Sequence, residues 1–254
     1  MKPLFIKSVV NNLAERPLNA DEFQQIRNYQ YLHFNNSEEL LKEYQKQNPE
    51  KIERAYFISK ILKEMPINTV ISFGAGESVI EYIIKNQCPN IEISISDFDG
   101  VLLEHLEQVY KNIFSAYYRF DISKDTFDDL KEEHYQMAFI NAVLYVLNDE
   151  EVKIFFKNLA NLEIEYLLIV SLAHLELRNE IKRKIIEILK RILKKDTHGD
   201  KEGNTFWGWG RYKHEIVSLA KSSGYGLVKY IRWTDRNNTS LAGIYIFRLK
   251  EKNL

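Results

Sequence analysis

Two glycines and an aspartate are the residues of this chain best placed to hold a ligand. Gly74 and Gly76 lie in the run VISFGAGESV, and Asp97 closes the run IEISISDFD about twenty residues later. Glycine carries no Cβ, so a ligand can lie against the backbone where the amides of a helix N-terminus point outward. A carboxylate at that separation accepts hydrogen bonds from a ribose diol. Together the turn and the carboxylate point to an adenosine.

Such residues need elements that hold them. The stretch from Val70 to Asp99 reads as a buried strand (70–73), the glycine turn, a helix (78–86) and a second strand (91–96) ending in acid, which is half of a nucleotide-binding βαβ unit. A dinucleotide fingerprint requires a third small residue three places after the second glycine, and Val79 stands there. A nicotinamide-dependent oxidoreductase is therefore disfavoured.

The order of Gly74 and Gly76, Asp97, Asp121 in YYRFDIS, and then INAVLYVLND resembles the class I S-adenosylmethionine-dependent methyltransferases over roughly residues 50 to 250. The resemblance implies an α/β fold: a seven-stranded, mostly parallel sheet with a closing antiparallel hairpin, of Rossmann-like type. It implies S-adenosyl-L-methionine as methyl donor, S-adenosyl-L-homocysteine as product, and donor contacts from Phe73, Gly74, Ala75, Gly76, Asp97, Phe98, Asp121, Ile122 and Asn141. For Asp121 two readings stand, an adenine contact and a cap on the turn that follows it. The sequence departs from the family pattern at Ser72, where an acid is usual, and at Ser78, where a third glycine is usual; Glu77 would replace the acid, or serve only as a first-turn residue of its helix. These departures leave a second reading open, a methyltransferase-like binding scaffold without turnover.

The bulk properties set bounds. The chain has 35 basic and 36 acidic residues and an apolar fraction of 45%, enough for a sizeable core and too balanced for a global field that would gather nucleic acid or an anionic membrane. A single cysteine, Cys88, provides no disulfide framework and no cysteine zinc cluster, and suits a reducing cytoplasm. The expectation is a cytoplasmic protein with no targeting segment and no membrane span. Two regions are expected, a helical N-terminal extension or cap (1–65) and the donor-binding domain (66–254). Oligomeric state is not legible.

Beyond the glycine turn, Asp21, Asn36 with Glu39, and Pro49 mark three helix starts. The run MAFINAVLYVL reads as a central strand buried on both faces and ending near Asn141. DEEVKIFFKNLANL reads as a helix and YLLIVSL as the fifth strand. The stretch 179–195 is amphipathic with a basic face, either a partner surface or simply solvated. Residues 196–211 read as a loop holding four of the ten glycines and two of the three tryptophans. A helix ended by Gly224 and two closing strands, GLVKYIRWTD and SLAGIYIFRLK, follow.

A sulfonium is an activated methyl donor, so the protein's task is to align acceptor, methyl and sulfur in a water-poor site, and no metal is required. The acceptor expected is a small molecule. A hydroxyl or amine acceptor needs a base, for which His174 and His214 are candidates, His174 first because it follows the fifth strand; it also suits substrate positioning. Tyr145 is placed by topology for chemistry, more as a wall or hydrogen-bond donor. Tyr29, Tyr145, His174, Trp209 and Arg211 are the candidate substrate contacts, Arg211 through its fork of donors to an anionic group. Tyr29, Tyr31, His33 and Tyr56 also have a plain packing reading.

Overall fold

The computed structural model of the chain describes residues 4–6, 31–172, 174–176, 208–237 and 241–250. In chain order the elements are β1 (Leu4–Ile6), α1 (Ser37–Gln47), α2 (Pro49–Lys63), β2 (Thr69–Phe73), α3 (Val79–Gln87), β3 (Glu92–Asp97), α4 (Gly100–Val109), β4 (Tyr117–Arg119), β5 (Met137–Asn141), α5 (Asp149–Asn161), β6 (Tyr166–Ser171), β7 (His174–Leu175), β8 (Gly208–Tyr212), α6 (Lys213–Ser222), β9 (Tyr225–Thr234) and β10 (Leu241–Leu249). A single 3₁₀ turn, Asp128–Leu130, lies between β4 and β5.

Seven strands form the main sheet in the order β4-β3-β2-β5-β6-β10-β9. The first five run parallel, and β10 enters antiparallel against β6 and pairs with β9 on its other side. This is the mixed sheet with closing hairpin that the resemblance implies. Chain order runs outward in both directions from β2 and β5, so the switch point, where open α/β sheets bind ligands, lies between their carboxyl ends.

Strand alternation divides the core. Val70, Ile93, Ile95, Met137, Phe139, Leu168 and Ile244 point toward α1 to α4, meeting residues such as Leu40, Ile58, Ile83 and Leu106. Ile71, Phe73, Ala138, Ile140, Leu167 and Ile169 point the other way, against Phe155 and Phe156 of α5 and Leu219 of α6. Each of these large apolar side chains contributes about 1.5–3 kcal/mol by leaving water, and burial on both faces explains the unbroken apolar runs of β5 and β6. Helices α1 and α2 share this core, so the region preceding the sheet is packed into it.

The helix starts have the capping chemistry that their sequences announce. The Asn36 side chain accepts from the Glu39 amide at 2.9 Å, Pro49 opens α2, and Asn148 and Glu151 form a reciprocal capping box on α5. Two differences from expectation concern the chain's early and late stretches. Leu4–Ile6 is a strand, not part of a helical region, and it pairs antiparallel with β8. Residues 208–211, expected in a loop, and Tyr212, expected to open the following helix, form β8 itself, the middle strand of a second sheet ordered β1-β8-β7. Glycines at 208 and 210 hid the extended pattern, and a three-residue strand has too little periodicity to register. The expected helices near 21–30 and 179–195 lie outside the described residues.

Candidate active site

The glycine turn is stitched to the neighbouring strand. The Ala75 amide donates to the Ser96 carbonyl at 3.0 Å, and the Gly76 amide donates to Asp97 Oδ2 at 3.1 Å. The other oxygen of Asp97 accepts from the Asp99 amide at 3.2 Å, so the carboxylate is oriented by two backbone donors at the end of β3. Gly74 and Gly76 have φ of +65° and +56°, the left-handed region in which glycine is unstrained. Ser78, the cap position of α3, holds φ +55° without glycine.

The loop after β5 crosses the same turn. A Cβ built on Gly74 would lie 2.6 Å from Val143 Cγ2, so Gly74 is required for close approach as well as for φ. Asn141 ends β5, and Ala142 follows at φ +57°, its amide donating to the Val170 carbonyl at 2.9 Å. Strand geometry thus brings Phe73, Gly74, Ala75, Gly76, Asp97, Phe98 and Asn141 to one edge of the sheet.

Three of the seven buried polar side-chain atoms without partners among the described residues, Ser78 Oγ, Glu81 Oε2 and Asn141 Oδ1, lie around the turn and the end of β5. Unpartnered buried polar atoms are uncommon and call for an explanation such as a ligand. Here they fit a polar ligand lying over the turn.

Asp121 has the contacts of a turn cap. Its Oδ1 accepts from the amide of Ser123 at 3.0 Å and from its hydroxyl, and Oδ2 pairs with Lys124 at 3.0 Å. Burial alone would raise its pKa, but these bonds outweigh it and hold the carboxyl below the usual range. Asp121 therefore caps its own turn, two residues past the end of β4. Ile122 beside it is buried.

The candidate acceptor residues are more deeply built in than expected. The Arg211 guanidinium, 2% exposed, donates to Asp149 Oδ1 at 2.9 Å and to the carbonyls of Leu144 and Leu147 at 2.6 and 2.7 Å. It staples β8 to the 142–149 loop and is not held out as a fork for an anionic acceptor. The Trp209 amide donates to the Tyr145 carbonyl at 2.6 Å, fastening the same two segments. His174 is 9% exposed, and both ring nitrogens are taken. Nε2 bonds the Tyr230 hydroxyl and Nδ1 the Tyr245 hydroxyl, each at 2.9 Å. Gly243 admits the ring, since a Cβ there would lie 3.0 Å from Nδ1. Burial pushes the imidazole pKa down, so His174 is neutral, donating to one phenol and accepting from the other. His214 lies exposed on α6. Tyr31 is buried with its hydroxyl on Gln47, and Tyr56 is largely exposed. Tyr29 and Trp207 lie outside the described residues.

Sequence reading missed Glu81, Tyr230, Tyr245 and Asp149. For Glu81 a signal existed: an acid inside the apolar run VIEYII, at a helix position otherwise reserved for core. The tyrosines carried none, because aromatic residues in closing strands are ordinary core.

No protein-family model matches the chain, and no curated protein matches it in sequence. In three dimensions it is similar to magnesium protoporphyrin IX methyltransferase of Synechocystis PCC 6803 with bound S-adenosylhomocysteine, at 12% identity and TM-score 0.56, over 78% of this chain and 83% of that one. It is similar to a S-adenosylmethionine-dependent methyltransferase of Methanosarcina mazei, at 15% identity and TM-score 0.56, over 76% and 97%. Human N-acetylserotonin methyltransferase, in complex with S-adenosylmethionine, matches at 13% identity and TM-score 0.51 over 83% of this chain, which spans 54% of that one. At these identities the likeness is one of architecture: the chain has the Rossmann-like fold of the class I methyltransferases.

Proposed function

We propose that the protein transfers a methyl group from S-adenosyl-L-methionine to oxygen or nitrogen of a small-molecule acceptor, a metabolite, glycan or natural-product precursor. The observation that carries this reading is the Gly76–Asp97 hydrogen bond between the carboxyl ends of β2 and β3, which orients a carboxylate beside the half-buried glycine turn. Asp97 would take the ribose hydroxyls, and the 74–76 backbone with Phe73, Phe98 and Asn141 would line the rest of the donor. The sulfonium, when bound, supplies an electrophilic methyl carbon. The chain's own work is alignment and exclusion of water. Magnesium protoporphyrin IX and N-acetylserotonin, the acceptors in the names of two structural neighbours, are small molecules, which supports an acceptor of that size.

On the acceptor side, the 142–147 loop with Tyr145 forms a wall, held from behind by Arg211 and Trp209. His174 has no nitrogen left for direct contact. A proton leaving an acceptor hydroxyl would reach it through the half-buried Tyr230, whose oxygen already bonds Nε2.

Calorimetric titration with S-adenosylhomocysteine tests the donor site. Wild type is expected to bind, and Asp97→Ala to lose roughly 1–3 kcal/mol, the scale of hydrogen bonds to a charged group. Absence of heat with both S-adenosylmethionine and S-adenosylhomocysteine would exclude the proposal and leave a binding scaffold without turnover.

A further inference from the structure

Glu81 is the most anomalous side chain near the glycine turn. It sits in the first turn of α3, is 1% exposed, and has one oxygen bonded and one not. Ser72 Oγ donates to Oε1 at 2.7 Å from β2, while Oε2 has no partner. Beside it Ser78 Oγ is likewise buried and unpartnered. A carboxyl in such a place costs several kcal/mol to ionise without a compensating cation.

The groups facing it do not supply one. The charges acting on Glu81 are carboxylates, Glu77 of the turn and Asp97 of β3. Tyr110, just past the end of α4, and Tyr44 of α1 both feel the Glu81 charge, and neither is cationic. Of the two sheltered cations of α2, buried Arg54 acts on Tyr44 and half-buried Lys51 on Glu77, and neither is among the charges acting on Glu81. Three acids thus surround one glycine turn, and the innermost has an unsatisfied oxygen.

We propose that Glu81, held by Ser72, is the carboxylate that answers the ammonium of the donor's amino-acid end, acting from beneath the turn as a charge-matching residue. This rests on the donor reading above. In a buried setting a charge acts at distances at which water would screen it, so Glu81 needs no direct contact to recognise a cation lying over Gly74–Gly76. Burial, partly opposed by the Ser72 bond, raises its pKa to about 7. At neutral pH the free protein therefore holds a mixture of protonated and ionised Glu81, and a bound ammonium drives ionisation. The carboxyl O–H breaks and its proton goes to the buffer.

The experiment is titration of the full chain with S-adenosylhomocysteine in two buffers of different ionisation enthalpy, repeated with 5′-methylthioadenosine, which lacks the amino-acid end. Wild type is expected to release about half a proton at pH 7 on binding S-adenosylhomocysteine, more at pH 6 and almost none at pH 8.5. Affinity should fall by up to about tenfold per unit as pH drops below 7. Glu81→Gln should abolish the release, flatten the pH profile and weaken S-adenosylhomocysteine by about tenfold or more, while 5′-methylthioadenosine binds as to wild type. Retained binding of the truncated ligand also shows that the variant is folded. Equal proton counts in wild type and Glu81→Gln, or equal affinity for S-adenosylhomocysteine, would overturn the assignment while leaving the donor site standing. Failure of wild type to bind either ligand would overturn both.

Discussion

The two halves of the cleft are built on different plans. The donor half is local: Ser72 to Asp99 supplies the turn, its strand and its oriented carboxylate within one βαβ segment. The acceptor half is assembled from distant pieces, with Arg211 bonded to carbonyls 64 and 67 positions earlier in the chain and His174 bonded to phenols 56 and 71 positions later. The donor half leaves polar atoms unpartnered, whereas Arg211 and His174 on the acceptor half are saturated inside the protein. The contrast teaches where ligand energy is waiting and where rigidity has already been built in.

The largest expected effect falls on the acceptor half. Arg211→Met would strip Asp149 and two buried carbonyls of their donors, costing about 3–5 kcal/mol of stability by the usual scale for breaking a buried pair. The urea midpoint should drop accordingly. S-adenosylhomocysteine affinity, measured at low denaturant, should change little if the halves are independent, and a matching loss of affinity would break the comparison.

Gly74→Ala tests the seam between the halves. The new methyl meets Val143 at 2.6 Å and is strained at φ +65°, a cost of about 2–3 kcal/mol that should appear in the thermal midpoint and in donor affinity alike. Adding Val143→Ala removes the collision but not the strain, so about half should return. Full recovery would mean that the turn's φ carries no penalty.

The smallest effect carries the opposite sign. The Glu81 carboxyl has a folded pKa raised from 4.5 to about 7, so its stabilising contribution is complete below 4.5 and lost as pH rises through about 7. Unliganded wild type should lose stability between pH 5 and 8. Glu81→Gln should lack that loss and be the more stable of the two at pH 8, read from urea melts at both pH values. A variant that stabilises the free protein while weakening the donor would show that the site is maintained at the expense of the fold.

How much could be read in advance follows the same division. Phe73 to Asp97 was legible because turn, helix and strand are consecutive and their periodicities differ sharply. β5, α5, β6 and the closing hairpin were legible for the same reason, each a long apolar pattern with its own caps. Arg211 was not, because a guanidinium at the end of a short Gly-Trp-Gly run gives no hint of carbonyls some 65 residues earlier. Asp121 reads equally well as ligand contact or turn cap, and its capping contacts become visible only with Ser123 and Lys124 placed around it. His174 was located at the correct sheet edge, but its saturation by Tyr230 and Tyr245 depends on strand pairing that only β10 creates.

Strand β10 has a further consequence, for the order in which the molecule is made. It lies between β6 and β9, antiparallel to both, and nothing synthesised earlier can take its place. Until residue 249 has emerged, β6 is an exposed apolar edge, YLLIVS, with its backbone donors and acceptors open on one side. Such contacts close late and over long sequence separations, which slows folding. The nascent chain therefore passes through a window in which that edge can pair with another copy, and chains truncated before β10 should accumulate as aggregates rather than as a smaller folded domain.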